Sequence, residues 1–269
     1  MSDSQWSYFL KNLGVWHGVF SQFSPDGSLV KNTPSKLILA SDDNKTVNFS
    51  VEREGNNQAI VNQISSLNRN ILLFEDGHFA KGSQQFSPFA IFGAEYGYIR
   101  GDRRCRLVQL FNKESVLESV TLIKEFREGG KGEERSHLTV EQIEGEWQGE
   151  ALTLYPDWRK TEPYTTNLTL KREGNILKQT LKTPFMNYSS EGVIDGNVIT
   201  FRKGERENRV LLLPDGASST TPVKIENRQS FFLEFGWLVE DYLRLRLIRQ
   251  YDDEGRWVNI TLVRETMNH

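Results

Sequence analysis

Gly14-Val15-Trp16-His17-Gly18 opens a strand-like run near the start of the chain, and Gly145-Glu146-Trp147-Gln148-Gly149 opens another near its middle. The two tryptophans lie 131 residues apart. One repeated pentapeptide proves little, so the rest of the two halves has to match as well. The run from Arg106-Leu107-Val108-Gln109-Leu110 to Thr121-Leu122-Ile123-Lys124-Glu125 aligns without a gap on Arg246-Leu247-Ile248-Arg249-Gln250 to Thr261-Leu262-Val263-Arg264-Glu265, 140 residues on. Glu95-Tyr96-Gly97-Tyr98 and Asp102 recur as Glu234-Phe235-Gly236-Trp237 and Asp241 at a spacing of 139. Leu72-Leu73-Phe74 with Asp76-Gly77 recur as Leu211-Leu212-Leu213 with Asp215-Gly216 at the same spacing. Four blocks in one order mark a duplication, with a few residues inserted in the second copy. The period is far longer than the roughly 20–50 residues of a solenoid repeat.

Each copy starts with a helical signal. Trp6, Phe9, Leu10 and Leu13 are spaced along one helix face,. Thr139 followed by Gln142 is a capping-box pattern,. Beyond these turns the signals are those of strands. Val47, Phe49 and Val51 alternate with Asn48, Ser50 and Glu52, the period-2 pattern of a half-buried strand. Asp26-Gly27, Asp76-Gly77, Gly174-Asn175, Asp195-Gly196 and Asp215-Gly216 punctuate the chain as tight hairpin turns,. The expected class is all-β: an antiparallel meander in each copy, closed so that its edges are satisfied. Residues 128–137 hold few apolar residues and three glycines. The expected division is therefore 1–127, a solvated linker at 128–137, and 138–269.

Composition excludes several classes. Basic residues number 33 and acidic ones 36, for a net charge of −3, so no basic excess points to nucleic acid. No run of about 18 apolar residues exists to cross a membrane. The N-terminal residues lack the features of a secretory signal. One cysteine, Cys105, excludes an internal disulfide and reads as a buried small residue,. The expected setting is a reducing soluble compartment, cytoplasmic or stromal. His17, His78, His137 and His269 have no metal-ligand spacing, and there is no Gly-x-Ser-x-Gly elbow or phosphate-binding glycine loop,. No catalytic residue, metal or cofactor is therefore expected, and enzymatic activity is disfavoured.

A helical turn, then Gly-x-Trp, then a β-meander ending in a strand with a basic residue resembles the lipocalin and wider calycin superfamily. In that superfamily the tryptophan and a late arginine pack across the closed end of the barrel. The resemblance implies two tandem lipocalin-like barrels with a structural signature of Gly14, Trp16 and Lys124 in the first copy and Gly145, Trp147 and Arg264 in the second. Lys124 departs from the arginine of the pattern. The tandem arrangement is similar to a two-barrel family of cyanobacteria and chloroplasts that includes a plant biogenesis factor required for ATP synthase. It implies a soluble binding protein, an assembly factor for a protein complex such as ATP synthase. The alternative is a carrier or lyase for a small hydrophobic, partly anionic ligand, a fatty acid or tetrapyrrole, held in a barrel.

The duplication also separates fold from function: what both copies share encodes the fold. Glu95/Glu234 and Asp102/Asp241 recur and read as structural carboxylates. The alternating run Arg244-Leu245-Arg246-Leu247 reads as arginines on a solvated face, the inward placement giving an anion-binding cavity. Features of one copy only are aromatic and lie in loops. Trp158, Arg159, Tyr164, Phe185 and Tyr188 in the second copy are the candidate contacts to a protein partner or small hydrophobic ligand. In the first copy Phe79, Phe86, Phe89 and Phe92 crowd a segment with Lys81.

Overall fold

The structure, a computed structural model, describes residues 3–55 and 59–267. After helix α1 (Asp3–Leu10) come nine strands: β1 (Gly14–Phe23), β2 (Leu29–Ala40), β3 (Val47–Arg53), β4 (Ile60–Ile64), β5 (Ile71–Leu73), β6 (Phe79–Gly82), β7 (Phe92–Arg100), β8 (Arg103–Phe111) and β9 (Leu117–Arg127). A short helix α2 (Val140–Ile143) precedes ten more: β10 (Gly145–Leu154), β11 (Tyr164–Glu173), β12 (Ile176–Lys182), β13 (Asn187–Asp195), β14 (Val198–Lys203), β15 (Arg206–Leu212), β16 (Ala217–Pro222), β17 (Phe231–Glu240), β18 (Leu243–Tyr251) and β19 (Trp257–Met267). Every pairing is antiparallel between chain neighbours, apart from the first strand of each set pairing with its last. β10–β19 form a closed barrel. β1–β9 curl in the same way but run in the order β4-β3-β2-β1-β9-β8-β7-β6-β5, so β4 and β5 are not joined.

The glycine that opens each Gly-x-Trp strand is required by its backbone. Gly14 and Gly145 hold φ of +147° and +138°, and a Cβ on Gly14 would lie 2.4 Å from the Arg127 guanidinium,. Two residues on, Trp16 and Trp147 are buried. Each indole donates to the carbonyl four residues back, Asn12 at 3.1 Å and Ile143 at 2.8 Å. The helical turn before the strand thus accepts the one polar group that burial would strand. In α2 the Gln142 side chain accepts from the Thr139 N–H at 2.9 Å, as its sequence pattern predicts,.

The two halves share one core. The outer face of β7–β9 packs on the outer face of β16–β19, and an apolar cluster containing Tyr96, Tyr98, Cys105 and Leu107 continues into Phe235, Trp237, Leu245 and Leu247. Tyr98 stacks on Trp237 at 5.8 Å and donates to the Phe235 carbonyl at 2.7 Å. Gln109 donates to Ser219 Oγ at 2.9 Å, and its counterpart Arg249 reaches back to the Ser83 carbonyl at 3.0 Å. Bridges between residues 85 and 256 and between 116 and 224 join loops at one end of both halves, so the two mouths face the same side.

The segment between the halves is fastened rather than loose. The Arg135 N–H donates to Asp215 at 2.8 Å, Gly216 N–H to the Ser136 carbonyl at 3.0 Å, and Lys131 N–H to Asp102 at 3.2 Å. A polar, glycine-rich composition reports solvent exposure of side chains; it does not report where the backbone bonds go.

Candidate functional site

The closed ends of the barrels correct one expectation. Strand register places Lys124 opposite Val19 and Arg264 opposite Glu150, away from the tryptophans. Lys124 pairs with Glu134, and Arg264 with Asp76 of the other half. The cation over Trp16 is Arg127, 4.3 Å from the ring centroid, and the cation over Trp147 is Arg244 at 4.7 Å. In the first half the nearer cation sits at the very end of β9, and Arg104 of β8, the counterpart of Arg244, also faces the ring at 6.0 Å; in the second half the cation comes from β18.

The alternating arginines are a second correction. Arg104 and Arg106 of β8, and Arg244 and Arg246 of β18, are turned into the barrels and buried or nearly so. Glu125 takes Arg104 at 3.0 Å and Arg106 at 2.6 Å, and Glu95 takes Arg106 at 2.8 Å and Lys81 at 3.0 Å. In the second half Glu265 takes Arg244, while Glu234 takes Arg246 at 2.7 Å. The recurring carboxylates Glu95 and Glu234 are therefore structural counter-ions. Burial alone would raise the Glu95 carboxyl; Lys81 and Arg106 outweigh that and hold it at about 2,. Burial pulls Arg104 down to about 10, with Glu125 opposing. Glu95 and Arg104 therefore both stay charged at neutral pH. Burial pushes the Cys105 thiol well up, which leaves it protonated and inert,.

The first half is hollow above this ladder. A cavity of about 200 Å³ has apolar walls from Leu39, Phe49, Ile64, Ile71 and Phe79 and a polar side of Lys81, Glu95 and Arg106. Three cations face two carboxylates here, whereas Arg244 and Arg246 balance Glu234 and Glu265 in the second half. The difference is Lys81, whose counterpart is Thr220. The closed end of the second barrel is packed with Trp147, Leu168, Leu170, Leu177 and Ile199. Among the described residues no group of three or more His, Cys, Asp or Glu is placed to hold a metal ion, and no helix is long and apolar enough to cross a membrane.

The five aromatic and basic candidates all lie at the mouth of the second barrel, but they split. Phe185, 78% exposed, sits in the β12–β13 loop with Met186 and Tyr188 exposed beside it. Tyr164, at the start of β11, meets Phe185 edge-on at 5.2 Å. The loop is held by Thr183, whose hydroxyl accepts from the Phe185 and Met186 N–H groups, both at 3.1 Å. Trp158 turns the other way: it is half-buried against the shared core, with Arg69 of the first half 5.6 Å from its ring. Arg159 is exposed, pairs with Asp157 at 2.6 Å and lies over Tyr155. In the first half Phe79, Phe86 and Phe92 are core, and Phe89 alone projects, 87% exposed. Arg244 and Arg246 thus face inward where a solvated face was expected, and no sequence signal marks Arg104, Arg106 or the cavity above them.

Comparison with known proteins places both halves. Residues 2–130 match the family described as domain of unknown function DUF3598, N-terminal. Residues 134–268 match the family described as biogenesis factor required for ATP synthase 1, C-terminal domain. The crystal structure of a protein with unknown function from the DUF3598 family of Nostoc punctiforme is 40% identical, with a TM-score of 0.95 over 99% of this chain and 100% of that chain. An S-type phycobiliprotein lyase from Guillardia theta is 12% identical, with a TM-score of 0.39 over 48% of this chain and 90% of that one. No curated protein matches the chain.

Proposed function

The chain belongs to the DUF3598 family, and on that footing we propose that it is a non-enzymatic binding protein acting as an assembly factor for a protein complex. The observation that carries the reading is the loop tip formed by Phe185, Met186 and Tyr188 with Tyr164 against it. A ring 78% exposed costs solvation in an isolated chain and is worth having where a partner covers it,. The tip stands on a closed barrel, so little ordering entropy is lost on contact. Trp158 belongs with the contact between the halves and not with this surface. The family description over residues 134–268 names ATP synthase, which makes that complex the first partner to test.

The test is a titration of the purified soluble portion of ATP synthase onto the wild-type protein and onto Phe185→Ser with Tyr188→Ser. Phe185 projects into solvent from the loop and Tyr188 stands partly exposed at the rim of the mouth, so the variant is expected to melt within a few degrees of wild type, about 2–4 °C,. Binding is expected to weaken at least tenfold, since exposed aromatic anchors carry most of such contacts. Equal affinity for both proteins would remove the surface from the account.

The cavity of the first half favours a second reading, carriage of a small amphipathic anion with its acid at Lys81,. Native mass spectrometry of freshly purified protein separates the two: a stoichiometric small molecule supports carriage, and an unliganded chain that binds the complex supports assembly.

A further inference from the structure

The two halves differ by one strand in the barrel wall. In the first half Trp16 pairs with Leu37, Leu37 with Val51 and Val51 with Ile60. In the second half Trp147 pairs with Leu168, Leu168 with Leu181 and Leu181 with Tyr188. These registers lay β1–β4 on β10–β13, and the spacing of 139 lays β5 on the end of β15. β14 has no counterpart. The spacing between the copies rises from 131 at the tryptophans to 139 at Leu72, which locates the missing residues between these points.

What the absence leaves is a notch. In the second half β13 pairs with β14 and β14 with β15. In the first, among the described residues, β4 pairs only with β3 and β5 only with β6, and β5 has three residues where β15 has seven. Ile60 and Val61 of β4 are 45% and 69% exposed. The sequence Ile60-Val61-Asn62-Gln63-Ile64 carries none of the lysines or prolines that usually guard an edge strand,. The cavity lies against the notch, since Ile64 and Ile71 at its two edges, and Leu67 of the 65–70 connection that crosses between them, are in its wall.

We propose that the notch is a docking site for an extended segment of a partner polypeptide, which adds antiparallel to β4 as the strand this half lacks. The second half supplies the template. There Ile199 and Phe201 of β14 face Ile194 and Gly192 across the ladder and fill the barrel interior. The segment therefore alternates, with apolar side chains turned onto Phe49 and Ile64. Lys81 beside them, half-exposed and sharing Glu95 with Arg106 in a ladder of three cations and two carboxylates, favours a carboxylate on the same face. A small amphiphile could fill the cavity and pair with Lys81, yet it would leave the edge of β4 unpaired; a polypeptide satisfies both. This surface lies on the other half from the Phe185 tip, and the two claims fail separately.

The probe is a fluorescein-labelled peptide with the sequence of residues 196–205, the β14 hairpin arm of this chain, titrated onto the whole protein. Anisotropy is expected to saturate. Serine at the peptide positions of Ile199 and Phe201, or N-methylation of one alternate set of its amides, is expected to weaken binding at least tenfold. Ile60→Lys, a change at a half-exposed position, is expected to do the same. Amide exchange at residues 60–64 is expected to slow on binding. An anisotropy that does not saturate overturns the proposal, as does saturation indifferent to N-methylation and to Ile60→Lys. Displacement of the peptide by decanoate, with exchange at residues 60–64 unchanged by the peptide, assigns the site to a small amphiphile and overturns it too.

Discussion

His78 is buried, and its Nδ1 accepts the Ile99 N–H at 3.2 Å. Burial pulls its pKa from the usual 6.5 down to about 4, with Asp76 opposing weakly,. The unfolded chain therefore takes up a proton below pH 6.5 that the folded chain refuses until about pH 4. Stability from this group is complete above that range and falls as the pH falls through it. Between pH 7 and 5, above most carboxylates, the loss comes to about 2 kcal/mol. Thermal melts across that window are expected to show the fall in wild type and a much flatter profile in His78→Asn; a flat wild-type profile contradicts the assignment. At this scale the sequence was partly legible. Gly14, Gly145 and the two tryptophans could be placed because a repeated Gly-x-Trp needs a backbone without Cβ and a buried indole. The cations over those indoles could not, because two or three residues of strand register decide between Lys124 and Arg127.

Strands carry the next lesson. Alternation separates two faces of a strand but does not say which one is inside. On β8 and β18 the apolar face, with Cys105, Leu107, Leu245 and Leu247, turns outward onto the other half, and the charged face turns into the barrel. A strand covered on both sides by protein violates the polar-out rule from which the arginines were read. The energetic consequence is testable on one ladder. Glu125 is fully buried between Arg104 and Arg106, so Glu125→Gln leaves buried guanidinium charge uncompensated and is expected to cost about 3–5 kcal/mol,. Glu128, more than half exposed and paired with His17 and Lys36, is the control: Glu128→Gln is expected to leave the urea midpoint nearly unchanged,. Equal losses in urea melts would mean that the ladder is not the buried ion network described. The notch beside β4 was written in the sequence as a change of spacing between the copies, but a spacing cannot say which strand is gone.

The duplication predicted two barrels, and the whole molecule is a closed ten-stranded barrel beside a curled nine-stranded sheet with one core running between them. Because Tyr98, Trp237, Phe92 and Tyr251 are buried by the partner half, neither half keeps its outer face dry alone,. Unfolding is expected to be a single transition, coincident by tryptophan fluorescence and far-ultraviolet circular dichroism; two separated transitions would show halves that stand alone. The same packing bears on function. It consumes the aromatic residues that both copies share, and leaves the Phe185 tip, which one copy has, facing solvent at the mouth. Photocrosslinking tests that surface directly: benzoylphenylalanine is placed at position 185 and, as control, at exposed Asp195 at the opposite end of β13. The expected result, with ATP synthase assembling in the same mixture, is a covalent adduct to one of its subunits from position 185 and none from position 195. Adducts from neither position, or equally from both, would contradict the claim that this loop tip is where the protein meets its partner.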